Sequence, residues 1–119
     1  MSRGSGASPP VKLDLPVQKG PQFWRVPNVR AFPGDTLVWK ANGSDLRFQF
    51  PNDIRRSLEP VRSQDQLRGG YLKKLKDGET LMLRVLDRPR KGDFQYAIFV
   101  KSADAFAHGN SAPWIIIEW

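Results

Sequence analysis

The run Trp114-Ile115-Ile116-Ile117 near the end of the chain contains no polar side chain. It constrains the fold more than any other stretch. β-Branched and aromatic residues in a short run favour a strand. Without a polar face, a strand over Trp114–Trp119 is expected to lie between neighbours and to be covered on both sides. The preceding strand is expected over Phe94–Val100, with Phe94, Tyr96, Ile98 and Val100 on one face and Gln95, Ala97, Phe99 and Lys101 on the other. A polar loop, Lys101–Ala112, joins the two. Both strands need partners from earlier in the chain, so long-range sheet pairing is the organising principle.

Earlier segments repeat the alternation. Val11, Leu13 and Leu15 make a short strand that Pro16 is expected to end. Gln22–Val29 is a second strand, bulky at Phe23, Trp24 and Val26, and Pro27 suits an edge or a bulge there. The turn Pro33-Gly34-Asp35 leads into Thr36–Ala41, with Leu37 and Trp39 inward. Asn42-Gly43 signals a hairpin to Leu46–Phe50, where Leu46, Phe48 and Phe50 share a face. Residues 51–70 are charged, with few apolar positions (Ile54, Leu58, Val61, Leu67), and predict a long irregular excursion with one helical turn near Asp53–Leu58. Leu81, Leu83 and Val85 form the next strand, and Arg88–Gly92 turns the chain into the C-terminal pair. Short strands with turn signals between them predict an all-β Greek-key sandwich, with one domain over 11–119.

A chain of 119 residues can bury a core without disulfides, and none can form because there is no cysteine. Thiolate metal ligands and thiol nucleophiles are excluded with them. No apolar run approaches the roughly 20 residues a membrane-spanning helix needs. Residues 1–10 read as a flexible tail or a cloning remnant. They lack the apolar core of an export signal, so the cytoplasm is expected unless a leader has been removed.

Four segments carry a resemblance. Pro33–Asn42 resembles the strand and Asn turn that begin the copper-binding half of cupredoxins, the blue-copper fold. Leu46–Pro51 is similar to the strand bearing that family's first histidine. Asp77–Leu83 resembles its Gly-Glu lead-in to the next strand, and Gly92–Tyr96 the run leading to the copper cysteine. The resemblance covers Val29–Trp119 and implies a cupredoxin-like sandwich. It places the first histidine at Leu46, the cysteine at Ile98 and the second histidine near Lys101. Blue copper needs a thiolate, two imidazoles and usually a weak axial thioether. The only histidine is His108, and neither Met1 nor Met82 falls in the corresponding loop. Leu46, Ile98 and Lys101 are therefore vestigial metal-site positions, no metal or cofactor is expected, and hydrocarbon fills the former pocket.

The expected function is that of a non-catalytic binding or structural module. His108, with Asp104 and Ser111 nearby in sequence, lacks the frame and oxyanion site that a Ser-His-Asp device requires. A protein partner or self-association is expected through loops or an edge strand, Val11–Leu15 or Gln22–Val29, with Trp24 and Trp119 as exposed anchors. The formal charge of +7 makes nucleic acid or another polyanion the alternative. The basic positions are Arg55, Arg56, Lys73, Lys74, Lys76, Arg88, Arg90 and Lys91, extended by Lys101 and His108 in the C-terminal loop. Basic and aromatic residues also interleave around Arg47, Phe48 and Phe50 and around Tyr71, Lys73 and Lys74, as on a stacking platform for single strands. Phe48 and Phe50 fall on inward positions, however, which leaves an exposed set of mostly Arg and Lys without rings.

Overall fold

Apolar residues spaced two apart sort the chain into two layers. The computed structural model describes residues 9–107 and 112–119; residues 1–8 of the expected 1–10 tail, His108 and Ser111 lie outside them. The strands are β1 (Lys12–Lys19), β2 (Trp24–Arg25), β3 (Val29–Ala31), β4 (Thr36–Ala41), β5 (Leu46–Gln49), β6 (Leu58–Pro60), β7 (Leu72–Leu75), β8 (Thr80–Val85), β9 (Gly92–Gln95), β10 (Ala97–Val100), β11 (Ala105–Phe106) and β12 (Trp114–Ile117). The first layer has the order β2-β1-β4-β8-β6. The second consists of β11-β10-β5-β7 and β3-β12-β9, which continue one another because β9 and β10 are separated only at Tyr96. Burial of Phe94, Tyr96, Ile98 and Val100 runs unbroken through that junction. The chain is all-β, as expected.

One apolar cluster fills the space between the layers. Its centre is Trp39 on β4, whose ring meets Phe48, Phe50 and Tyr96 edge-on, each at 5.7 Å between centroids. The indole Nε1–H donates to the Tyr96 hydroxyl oxygen at 3.0 Å. Burial raises the Tyr96 pKa well above the usual phenol value, and the indole hydrogen bond offsets this only in part.

Turn chemistry ties the layers together. At Pro33-Gly34-Asp35, Gly34 has φ +87°, and its N–H donates to the Val85 carbonyl at 2.9 Å. The buried Asp35 carboxylate accepts from the N–H groups of Phe32 and Val11 at 3.0 and 3.1 Å, which pins the start of β1 to this turn.

Several expectations are corrected. β1 does not end at Pro16 but continues to Lys19, because Pro16 points its missing donor away from the ladder to β4, an arrangement open to a strand with a free side. Asn42-Gly43 makes no hairpin: β4 pairs with β1 and β8, whereas β5 pairs with β10 and β7 in the other layer. The inner faces of β4 and β5 meet across the core instead, so the turn is an arch. Gln22–Val29 is two strands, and Pro27 marks the passage from the first layer to the second. Residues 51–70 are more regular than expected. They hold 3₁₀ turns at Ile54–Arg56 and Ser63–Asp65, with β6 between them paired to β8, because Ile54 and Leu58 are drawn into the core. β12 lies between β3 and β9, but only Ile115 and Ile117 are fully buried, so one face is covered and not two. Trp24 is core, 8% exposed, because it and Val26 alternate inward around outward-facing Arg25; Trp119 is 56% exposed.

Candidate functional site

The outer face of the second layer follows from the same alternation that fills the core. With Leu46 and Phe48 inward, Arg47 on β5 faces out. Register places Lys74 of β7 opposite Arg47 on one side and Phe99 of β10 on the other, and Phe106 of β11 stands opposite Phe99. Four adjacent strands thus carry one row: Phe106, Phe99, Arg47, Lys74. At about 4.8 Å between strands, the row is roughly 14 Å long.

The charges in this row are not balanced. Strands β5, β7, β10 and β11 carry Arg47, Lys73 and Lys74 and no carboxylate. Arg47 and Lys74 are directly opposite, an arrangement that disfavours the folded sheet. Among the described residues, neither side chain makes an ion pair or hydrogen bond. Beside them is a cleft of about 150 Å³ lined by Arg47, Phe48, Arg68, Leu72, Lys73 and Lys74. Lys73 holds an inward register position opposite Phe48 and escapes over the edge, where its ammonium donates to the Gln64 carbonyl. At the other end of the row, Phe99 and Phe106 meet edge-on, 5.3 Å apart, and Phe106 is 56% exposed. A second depression of about 220 Å³ adjoins Phe106, walled by Phe23 and Trp24.

The remaining basic candidates do not form one surface with this row. Arg55 sits on the Ile54–Arg56 turn with its Cδ toward Gly70, near Arg68. The Arg56 carbonyl accepts from the Arg90 N–H at 3.1 Å, and the Arg90 guanidinium pairs with Asp53 at 2.9 Å. Lys91 stands 6.0 Å over the Trp119 ring, and Arg88 is exposed on the same turn. Lys76 is flanked by Asp77 and Glu79, its backbone N–H donating to the Glu79 carboxylate at 2.7 Å. Lys101 is exposed in a 3₁₀ turn, with its N–H on the Asp45 carbonyl at 3.1 Å. The expected 55–91 surface therefore divides. Lys73 and Lys74 join Arg47 and Arg68, whereas Arg56, Arg88, Arg90 and Lys91 gather around the 86–92 turn. His108 lies outside the described residues.

Of the three positions expected to be vestigial metal-site residues, Leu46 and Ile98 share one inner face and Lys101 is exposed on the following turn. Leu46 pairs with Val100 and Phe48 with Ile98, which makes Leu46 and Ile98 diagonal neighbours on one inner face, both buried. Neither carries a donor atom, so these residues do not fit a copper ion. Among the described residues, no group of three or more His, Asp or Glu side chains could hold a metal. No helix is long and apolar enough to cross a membrane.

The first layer carries a different electrostatic pattern. Burial pushes the Asp65 carboxyl up. The Arg62 guanidinium, at 2.8 Å, and the N–H groups of Met82 and Arg62 more than offset it, and the pKa settles below the ordinary carboxylate value. Arg84 is held above its usual value, first by Asp87 at 2.8 Å and then by Glu59 at 3.1 Å.

The sequence placed Phe99 on the outer side of its strand but left Phe106 inside a loop. The missed signal is Ala105-Phe106, too short to alternate, which becomes a strand only by pairing with β10.

No family model and no curated protein matches the chain. It is similar to solved structures of amicyanin, a cupredoxin. A mutant amicyanin with Cu(I) is 13% identical, with TM-score 0.49, over 90% of this chain and 82% of that one. The reduced Cu(I) form of another amicyanin mutant, at pH 4, is 14% identical, with TM-score 0.46, over 96% and 87%. Both TM-scores fall below one half, so the sandwich assignment rests on the strand pairings and the shared core.

Proposed function

We propose that this chain is a non-catalytic, copper-free binding module that takes an anionic partner on the outer face of β11-β10-β5-β7. The observation that carries the reading is Arg47 opposite Lys74 with no carboxylate on the four strands. A like-charge pair that serves only the fold is a cost, and an anion bound across it removes that cost. The hydrocarbon at Leu46 and Ile98 supports the copper-free part of the reading. Edge pairing has less support. At the edges expected from the sequence, β2 and β3 are two and three residues long, and β1, whose outer edge meets β2 only at Gln18 and Lys19, carries Pro16.

Retention on immobilised heparin over a salt gradient tests the reading. Arg47→Glu/Lys74→Glu should elute at clearly lower salt than Lys12→Glu/Lys40→Glu, which changes the net charge equally on the other layer. Equal losses from the two pairs would reduce the effect to net charge and defeat the reading. Metal analysis after incubation with copper should find no stoichiometric ion, and intense blue absorption would contradict the copper-free part.

A further inference from the structure

Resting on the anionic-partner reading and going one step further, we infer that the partner is single-stranded nucleic acid, recognised by its bases as well as its phosphates. The surface does not stop at its cations. Phe106, Phe99, Arg47 and Lys74 occupy one register line, so two rings and two positive charges lie on a single track across four strands. A polyanion without rings, such as polyphosphate or an acidic peptide, would use Arg47, Lys74 and the neighbouring Arg68, but would gain nothing from Phe106.

Phe106 is held for contact and not for the core. It is more than half exposed, and its ring is steadied edge-on by Phe99 at 5.3 Å, which leaves a face open. A large apolar ring kept at a sheet surface gives up the stabilisation that burial would bring. A stacked base restores it, and stacking on aromatic side chains is tolerant of sequence because every base has a π-face. The two depressions lie at opposite ends of the track. The one beside Phe106 is lined by Phe23 and Trp24, against which a base can rest, and also by Lys19 and Gln22. The one beside Arg47, Arg68 and Lys74 has a mostly apolar lining that includes Phe48 and Leu72, with these cationic side chains contributing to it, and so sets positive charge close by for phosphate. Duplex is a poor fit, since its bases are stacked on one another and cannot reach Phe106.

Fluorescence anisotropy with a labelled oligothymidylate and an abasic oligomer of equal length tests the inference, because the two carry the same phosphates. The intact chain should bind the oligothymidylate at least tenfold more tightly than the abasic strand. Phe106→Ala should weaken the oligothymidylate by about tenfold, the size of one lost stacking contact, and leave the abasic strand unchanged. Phe106→Leu, which keeps an apolar contact for Phe99, should lose nearly as much and guards against a folding artefact. Lys74→Glu should weaken both strands, and higher salt should do the same. Equal affinity for the two strands, with no effect of Phe106→Ala, would overturn the base-recognition step and leave the anionic reading standing. Absence of binding to both strands and to heparin would remove both. Displacement of the oligothymidylate by polyglutamate of matching charge would assign the face to an acidic protein segment and overturn the inference.

Discussion

The two outer faces of this sandwich are built from the same alternation and differ in how their charges are paired. On the first layer one register line reads Glu59, Arg84, Thr36, Lys12, and Arg84 is paired to Glu59 and again to Asp87. On the second the corresponding line reads Phe106, Phe99, Arg47, Lys74, with no carboxylate on those strands. A face that only needs to be wet balances its charges locally. A face that leaves a like-charge pair opposed, beside an exposed ring, is arranged for something outside the molecule.

The contrast can be broken from either side. The largest effect is expected at Asp65→Ala, which removes the acceptor of the Arg62 and Met82 N–H groups and of the Arg62 side chain. Denaturant unfolding should show a loss of about 1–3 kcal/mol, with oligonucleotide binding by the folded protein unchanged; a binding loss would blur the division between faces. The same carboxylate gives the first face an acid sensitivity. Its folded pKa lies below the unfolded value of roughly 3.9, so its contribution is complete above that pH and is lost as pH falls through the lower folded value. Stability measured from pH 5 downward should therefore fall less steeply in Asp65→Asn than in the parent.

Smaller effects with opposite signs are expected from charge reversal. Arg84→Glu, set against Glu59 and Asp87, should destabilise by up to about 1 kcal/mol. Lys74→Glu, which turns a like-charge pair into an opposite one, should stabilise by about 0.2–1 kcal/mol while weakening oligonucleotide binding. Stabilisation coupled to loss of binding is the signature of a functional position. The smallest effect is reserved for Lys12→Ala, at the exposed end of the first line, expected within about 0.5 kcal/mol of the parent.

Much of this was legible in the sequence, and the illegible parts share a cause. Alternation placed Leu37, Trp39, Leu46, Phe48, Phe50, Leu81, Leu83 and Val85 inward, and all are buried. The resemblance to cupredoxins put Leu46 and Ile98 in one pocket, and the two are diagonal neighbours on one inner face. Pairing partners were harder to read. Asn42-Gly43 has the local chemistry of a hairpin, but Trp39 can meet Phe48 and Phe50 only if β4 and β5 lie in opposite layers. Leu72-Lys73-Lys74-Leu75 lacks period two and reads as charged surface; β7 exists because β5 offers it a ladder and because Lys73 can lean over the edge. Trp24 looked like an anchor until its two-residue strand fixed which way it faces. The candidate face was legible only in its cations Arg47 and Lys74, and its rings were missed for the same reason. Arg47, Lys74, Phe99 and Phe106 come from four separated segments, and only register makes them a line.

The most direct test is a backbone NMR titration of the intact chain with oligothymidylate. Shift changes should concentrate at Arg47, Lys74, Phe99 and Phe106 and leave Lys12, Thr36, Glu59 and Arg84 in place. Changes centred on the first layer, or saturating binding that leaves the Phe106 line unmoved, would contradict the assignment.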